Sequence, residues 1–376
     1  MVVAIIAFVV ILGVLVFVHE LGHFLTARRN GVKADEFGFG FPPRAAGFFQ
    51  DEETKKYKFI WGNQDIQSSN TIYSINWIPL GGFVKIKGED GTGVNEADSF
   101  AAKKAWPRIK ILAAGVIMNF ILAWFLLSLS LMLGAPQEID GTQHGDLSQV
   151  KIQINTVSPG SPAESAGIKV GDEILKENAQ TNFKDIQEVQ SFIKEHRGQE
   201  IALNLKRGDE VVAIKVVPRE NAPQDEGALG IAMSQTAIVA YPIGQSLWMG
   251  VVEVYQITLA IVMALGGIVT SLFVGKGVGA DVSGPIGIAI LTKQVATLGL
   301  TYILRFAALL SINLGIINAL PIPALDGGRI LFILIEKIKG SPVDQETEQK
   351  FHTIGFILLL ILMAAVTLHD VIKYIK

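Results

Sequence analysis

The sequence predicts a polytopic α-helical membrane protein of about four transmembrane helices, with a membrane-associated β segment and an inserted α+β domain. Three observations lead there. Half of the 376 residues are hydrophobic and mean hydropathy is +0.41, too apolar for an ordinary soluble chain. Apolar runs of membrane-spanning length recur, bracketed at one end by basic residues. Between them, one long stretch loses membrane character and reads as strands and short helices. The net charge of −3 gives no basis for binding nucleic acid. The absence of cysteine removes disulfides, thiolate ligands and a thiol nucleophile, so any metal must be held by His, Asp or Glu.

Residues 2–18 carry no charge and run into His19-Glu20-Leu21-Gly22-His23. The apolar stretch to Ala27 is about 25 residues, enough to span a hydrocarbon core. Arg28 and Arg29 follow it, which puts the N-terminus outside and the histidines towards the cytoplasmic end. Residues four apart share a helix face, so His19 and His23 can aim at one divalent ion, zinc by default. Glu20 is placed to take a proton from an activated water and return it to a leaving amine. The plainer reading is a pair of interfacial histidines beside a glutamate.

Residues 30–105 read as cytoplasmic loop material, with a turn at Gly38-Phe39-Gly40-Phe41-Pro42-Pro43. Within it, 71–78 and 83–87 flank Pro79-Leu80-Gly81-Gly82 as a hairpin or pair of strands, which either covers the site or pairs its edge near Phe83 with an extended peptide. Glu89-Asp90-Gly91 reads as a solvated turn. A second apolar run, 111–133, is preceded by Lys103, Lys104, Arg108 and Lys110 and so runs outward. Gly115 and Asn119 lie one turn apart near its inner end, serving helix packing or the site. These segments form an N-terminal membrane part, 1–134.

Residues 135–235 form the inserted domain. Strands are expected at 152–157, 171–175, 201–205 and 211–217, with helices at 163–166 and 186–195. The order resembles a bacterial PDZ domain, above all in Gly-Ser-Pro-Ala-x-x-Ala-Gly-x-x-x-Gly-Asp at 160–172. Such a domain either binds peptides by strand addition or limits access to the site. Residues 246–274 are apolar enough to span, but parity argues otherwise. If they crossed, Asp326 and the basic Lys337 and Lys339 would end on the outer side, away from His19 and His23. The expectation is an outer-leaflet amphipathic or re-entrant region over 236–300, with Lys276 outside the cytoplasm. The C-terminal membrane part, 301–376, then holds two helices, near 302–320 and 353–368. Between them Asp326 follows Pro321-Ile322-Pro323, so the backbone must be unwound there, which at membrane depth is tolerated only within protein or beside a cavity. Asp326 is the natural third ligand, leaving one position open as catalytic zinc requires. Capping the next helix is the other use of an Asp-Gly pair.

These motifs together resemble the site-2 proteases, the bacterial intramembrane zinc metalloproteases of peptidase family M50, a group that includes the regulator of sigma-E protease. The residues that carry the resemblance are 19–23, Pro79-Leu80-Gly81-Gly82-Phe83-Val84, Ala114-Gly115-Val116-Ile117-Met118-Asn119-Phe120, Ser283-Gly284-Pro285-Ile286-Gly287, and Asn313 through Gly328. The resemblance implies Zn2+ on His19, His23 and Asp326, Glu20 as general base and acid, and Asn313 and Asn318 as grips on substrate backbone. Asn119 and Phe83 are further candidates for substrate contact. It also implies a bacterial inner-membrane location, with the PDZ domain outside and the active site towards the cytoplasm. The implied partners are the lipid bilayer, single-pass membrane substrates such as an anti-sigma factor or a leftover signal peptide, and an upstream site-1-type protease that trims them first. Only one PDZ domain fits this chain, where some family members carry two in tandem, and Arg329 after Gly-Gly is a further difference. The competing readings are a membrane-anchored protease with a cytoplasmic catalytic domain, for which no cytoplasmic segment is large enough, and an inactive scaffold whose PDZ domain binds exported tails.

Overall fold

A computed structural model describes residues 2–64, 66, 68–138, 146–175, 183–208, 210–222, 227–274, 284–341 and 343–375. In chain order the elements are α1 (Val2–Arg29), β1 (Ala34–Gln50), β2 (Tyr57–Trp61), β3 (Ile72–Ile86), α2 (Ala105–Leu133), β4 (Ala135–Glu138), β5 (Asp146–Val157), α3 (Pro162–Ser165) and β6 (Glu173–Leu175). There follow α4 (Ile186–Glu195), β7 (Ile201–Arg207), β8 (Glu210–Val216), β9 (Ile231–Ala240), α5 (Ile243–Val274), α6 (Pro285–Leu298), α7 (Leu300–Ala319), α8 (Asp326–Lys339) and α9 (Gln345–Ile375). Two compact units result, Met1–Ser130 with Leu247–Lys376, and Leu131–Ser246.

In the first unit, α1, α2 and α7 form the central bundle. Ile11 and Leu15 of α1 meet Leu122 and Leu126 of α2 and Ala307 of α7, while Gly22 lies against Ala114 and Met118 further along. As the α1 numbers rise, the α2 numbers fall, so the two helices are antiparallel. Ser130 Oγ donates to the Thr301 carbonyl and Ser311 Oγ to the Asn119 carbonyl, so α7 also opposes α2 and runs the same way as α1. At the closest of these approaches the residues are small, Gly22 against Ala114 and Ser130 and Ser311 at the α2–α7 bonds, as expected where lipid supplies no hydrophobic drive and backbones must come close.

Among the described residues five helices are long and apolar enough to cross a membrane, where about four were expected; the additional one covers Ile243–Ile268 of α5. α5 packs lengthwise, Val254, Ile257, Ile261 and Leu265 lying against a core of Ala123, Leu127, Ala308 and Ile312. The Trp124 Nε1–H donates to the Leu247 carbonyl over 2.9 Å, and Arg305 of α7 pairs with Glu253 at 3.1 Å. Just before α6, the Gly284 N–H donates to Asp370 near the end of α9. Lys276 and Ser283 lie outside the described residues. The other end of α9 lies beside the segment before α8, through His352 and Ala324. From 352 to 370 a helix rises about 27 Å, so α6 starts at the end of the bundle far from that segment.

The β segment corrects two expectations. The stretch from Gly38 to Pro43, expected as a turn, lies inside β1, whose pairing is interrupted by bulges rather than broken. The strands around Pro79–Gly82 are not a hairpin, because β1 lies between them: Phe37 faces both Tyr73 and Val84. The sheet order is β2-β1-β3. Local pattern cannot reveal a strand whose partners lie more than thirty residues away on both sides.

The second unit is a six-stranded antiparallel sheet in the order β4-β9-β5-β6-β7-β8. The elements expected at 152–157, 171–175, 186–195, 201–205 and 211–217 appear as β5, β6, α4, β7 and β8. Sequence reading missed β4 and β9, the latter because Ser234-Gln235-Thr236 interrupts its apolar run. Asp185 caps α4 by accepting the Glu188 N–H, and Val189 and Ile193 turn inward onto Ile154, Ile174, Leu203 and Leu205. Asp172 is buried and accepts from the Lys169 N–H and from Nε and Nη2 of Arg207. Burial pushes the Asp172 carboxyl up, but the guanidinium fork and the amide outweigh it and hold the group below its ordinary range. A depressed carboxylate pKa stabilises the fold above the unfolded value, and that contribution is lost as pH falls through the folded value. Denaturant unfolding of segment 131–246 checks this. Asp172→Asn is expected to cost about 1–3 kcal/mol at pH 7, with the gap to wild type closing as pH drops below about 4.

Candidate metal centre

His19 and His23 sit on one face of α1, both buried, with ring centroids 4.7 Å apart and Nε2 atoms separated by 3.1 Å. Asp326 is the first residue of α8, brought in by the non-helical run that Pro321 and Pro323 enforce. Its Oδ2 lies 3.1 Å from His19 Nε2 and 3.4 Å from His23 Nε2. Among the described residues, these three form the group of His and acidic side chains able to hold a metal ion.

α2 fixes the rings. His23 Nδ1–H donates to the Ile111 carbonyl over 2.8 Å, which leaves its Nε2 lone pair facing Asp326. His19 Nδ1 lies 3.1 Å from the Asn119 amide. Asn119 is wholly buried, and its Oδ1 is an orphan. With the amide turned so that Oδ1 faces the ring, His19 Nδ1–H donates to it. His19 Nε2 then also presents a lone pair. One turn before Asn119, Gly115 forms the floor beneath the rings, where a Cβ would lie 2.7 Å from Cε1 of both His19 and His23.

The donor set fits zinc. Two imidazole nitrogens and a carboxylate oxygen converge on one point, and no well-aligned hydrogen bond reaches the buried Asp326 Oδ2. A tetrahedral ion with bonds of about 2.0–2.1 Å holds its ligands about 3.3–3.4 Å apart, close to the separations present. A bound cation converts this mutual repulsion into attraction.

Glu20, one residue on from His19, is half-buried beneath β3. The Gly81–Gly82 bend of that strand rests directly on α1: a Cβ on Gly82 would lie 2.7 Å from Phe17 Cα and 3.2 Å from Glu20 Cβ. Beyond the bend, Phe83 and Val84 pair with Gly38 and Phe37, and among the described residues no strand pairs with their other side. Phe83 is thus on a sheet edge, one residue beyond the Gly82 contact with Glu20. Asn119 is instead sealed against His19. Asn313 and Asn318 are half-buried on α7, and no hydrogen bond joins either to the His19–His23–Asp326 cluster. Sequence reading missed the pairing of Arg329 with Glu89, which ties the loop after β3 to α8. It also missed the part Gly115 plays, although its spacing of four from Asn119 marks the same helix face.

The match to Peptidase family M50 covers residues 7–362, and the chain belongs to that family. It is a multi-pass membrane metalloprotease that depends on zinc. Among its relatives, Zinc metalloprotease RasP of Geobacillus kaustophilus is 30% identical over 99% of this chain and 98% of that protein. Regulator of sigma-W protease RasP of Bacillus subtilis is 30% identical over 98% of each, and Zinc metalloprotease RasP of Bacillus licheniformis is 31% identical over 98% of each.

The Gly115 floor carries a direct test. Gly115→Ala is expected to displace both imidazoles and weaken zinc binding by about 10–100-fold, the range for disturbing the support of metal ligands. Gly266→Ala, where a Cβ meets open space, is expected to leave it unchanged. Metal titration of the purified variants reads both.

Proposed function

We propose that the chain is an intramembrane zinc metalloendopeptidase of the site-2 type, cutting a peptide bond within the transmembrane segment of a single-pass protein already trimmed on its outer side. The observation that carries this is the convergence of His19, His23 and Asp326 within an apolar helix bundle, beside a carboxylate that is not one of the three donors. His19, His23 and Asp326 hold the zinc, which supplies Lewis-acid activation of water and of the scissile carbonyl when bound. Glu20 takes a proton from the attacking water and delivers it to the leaving nitrogen as the C–N bond breaks. The unpaired edge of β3 at Phe83 and Val84 receives the substrate as an added strand, because a helical peptide hides its carbonyls. Asn313 and Asn318 remain candidates for holding substrate backbone.

The name of the Bacillus subtilis relative, regulator of sigma-W protease, supports an anti-sigma factor as substrate, with a leftover signal peptide as the other candidate. An upstream site-1-type protease makes the first cut. The bundle geometry supports the re-entrant form of 236–300: α5 runs along α7, and α6 then begins beside Asp370, far from Asp326. On this reading the active site lies towards the cytoplasm of a bacterial inner membrane, and unit 131–246 is an extracytoplasmic PDZ domain. A groove of about 240 Å³ lined by Ile193, Leu229, Ile231 and Met233, with Lys194 and Arg197 beside it, supports a peptide-binding role for that domain. The scaffold alternative gives no reason for Glu20 and a complete donor set together.

Membrane-embedded wild type is expected to cleave trimmed single-pass reporters inside their apolar segments. Glu20→Gln is expected to bind zinc normally while losing about 10²–10⁴-fold in rate. Asp326→Ala is expected to lose zinc and activity together. Cleavage mapping with metal analysis on the same samples decides. Full activity in Glu20→Gln, or stoichiometric zinc in Asp326→Ala, would refute the assignments.

A further inference from the structure

We infer that His352 of α9 is a positioning residue for Asp326, acting through the backbone of Ala324. The inference rests on the reading of Asp326 as a zinc ligand. Asp326 is delivered by the segment between α7 and α8, where no helix holds the backbone. Ala324, two residues earlier, has φ +71°, a left-handed conformation that a residue with a Cβ keeps only when its surroundings impose it. Another helix imposes it here. The Ala324 N–H donates to His352 Nδ1 over 2.8 Å, across 28 residues of sequence. Nearly one turn further along α9, Gly355 admits Pro323, since a Cβ there would lie 3.0 Å from the Pro323 carbonyl carbon and oxygen. The His352 ring also packs beside Phe332 of α8, with centroids 5.5 Å apart. α9 therefore grips the chain on both sides of Asp326.

The hydrogen bond dictates a tautomer. Nδ1 accepts only with its lone pair free, so the ring proton sits on Nε2. That Nε2 is buried without a hydrogen-bond partner, with Glu348 Oε1 3.8 Å away. Beside both lies a cavity of about 370 Å³, lined also by Glu89, Arg108 and Arg329. The hydrogen bond by which His352 acts on the approach to Asp326 is this one, and it keeps Ala324 from relaxing to negative φ.

The test uses the full-length protein, with cobalt in place of zinc for its visible absorption and with zinc release to a chelator timed separately. His352→Asn puts Oδ1 where Nδ1 stands and keeps the acceptor, whereas His352→Leu keeps bulk and removes it. His352→Asn is expected to retain the wild-type cobalt spectrum and release rate. His352→Leu is expected to shift the spectrum and release zinc about 10–100-fold faster. Glu348→Ala, which alters the same cavity without touching the acceptor, is expected to follow wild type. A His352→Leu protein indistinguishable from wild type would overturn the inference, as would His352→Asn failing as badly as His352→Leu. Should His352→Leu not fold, His352→Asn against wild type still decides, with loss of the wild-type spectrum counting against. Wild type that takes up neither metal would refute the ligand reading itself.

Discussion

Two imidazole nitrogens and a carboxylate oxygen converging inside a bundle of apolar helices set the constraint on which this structure depends. Such a cluster is unfavourable in hydrocarbon unless a cation joins its members and the ring atoms behind it find partners. α2 supplies those partners with almost no polar side chains. A backbone carbonyl at Ile111 orients His23, one buried amide at Asn119 orients His19, and Gly115 between them leaves the rings their space. The second helix is thus as much part of the metal centre as the first, although it supplies no donor.

The same economy governs the approach of β3 to α1. A strand can lie directly on a helix only where side chains are missing at the crossing, and Gly81 and Gly82 are missing theirs beside Val16, Phe17 and Glu20. The strand beyond the crossing keeps an unpaired edge. An edge strand in water invites aggregation; beside Glu20, on the proposed function, the same edge is where a substrate backbone would be straightened and held.

What the sequence made legible was chemistry with a fixed spacing. His19 and His23 are four apart, Asp326 follows a Pro-x-Pro, and the parity of apolar runs kept Asp326 with the histidines despite the extra apolar helix α5. That last inference used only charge placement, and the parallel course of α1 and α7 agrees with it. Illegible were features that depend on distant partners. β1 carries Gly, Pro and Phe in the proportions of a turn, and is a strand only because both arms of β3 flank it. α8 is short and amphipathic, so no membrane-length window reveals it, and α6 is shorter than a span. His352 looks like an ordinary helix residue until the folded chain sets it against Ala324.

That contact bears on how a broken helix can carry a metal ligand at all. A ligand on a continuous helix inherits the rigidity of its backbone hydrogen bonds, as His19 and His23 do. Asp326 has no such backing on its N-terminal side, where Pro321 and Pro323 cannot donate and Ala324 is held off its preferred conformation. The backing has to come from elsewhere, and α9 supplies it with one acceptor and one missing side chain. Within the unwound segment itself only short-range bonds are available, the Ile322 N–H donating to the Leu320 carbonyl and the Leu325 N–H to the Ile322 carbonyl. The Ala324 N–H is the one that reaches across to another helix, so the position of the segment relative to the bundle depends on α9 rather than on the segment's own turns.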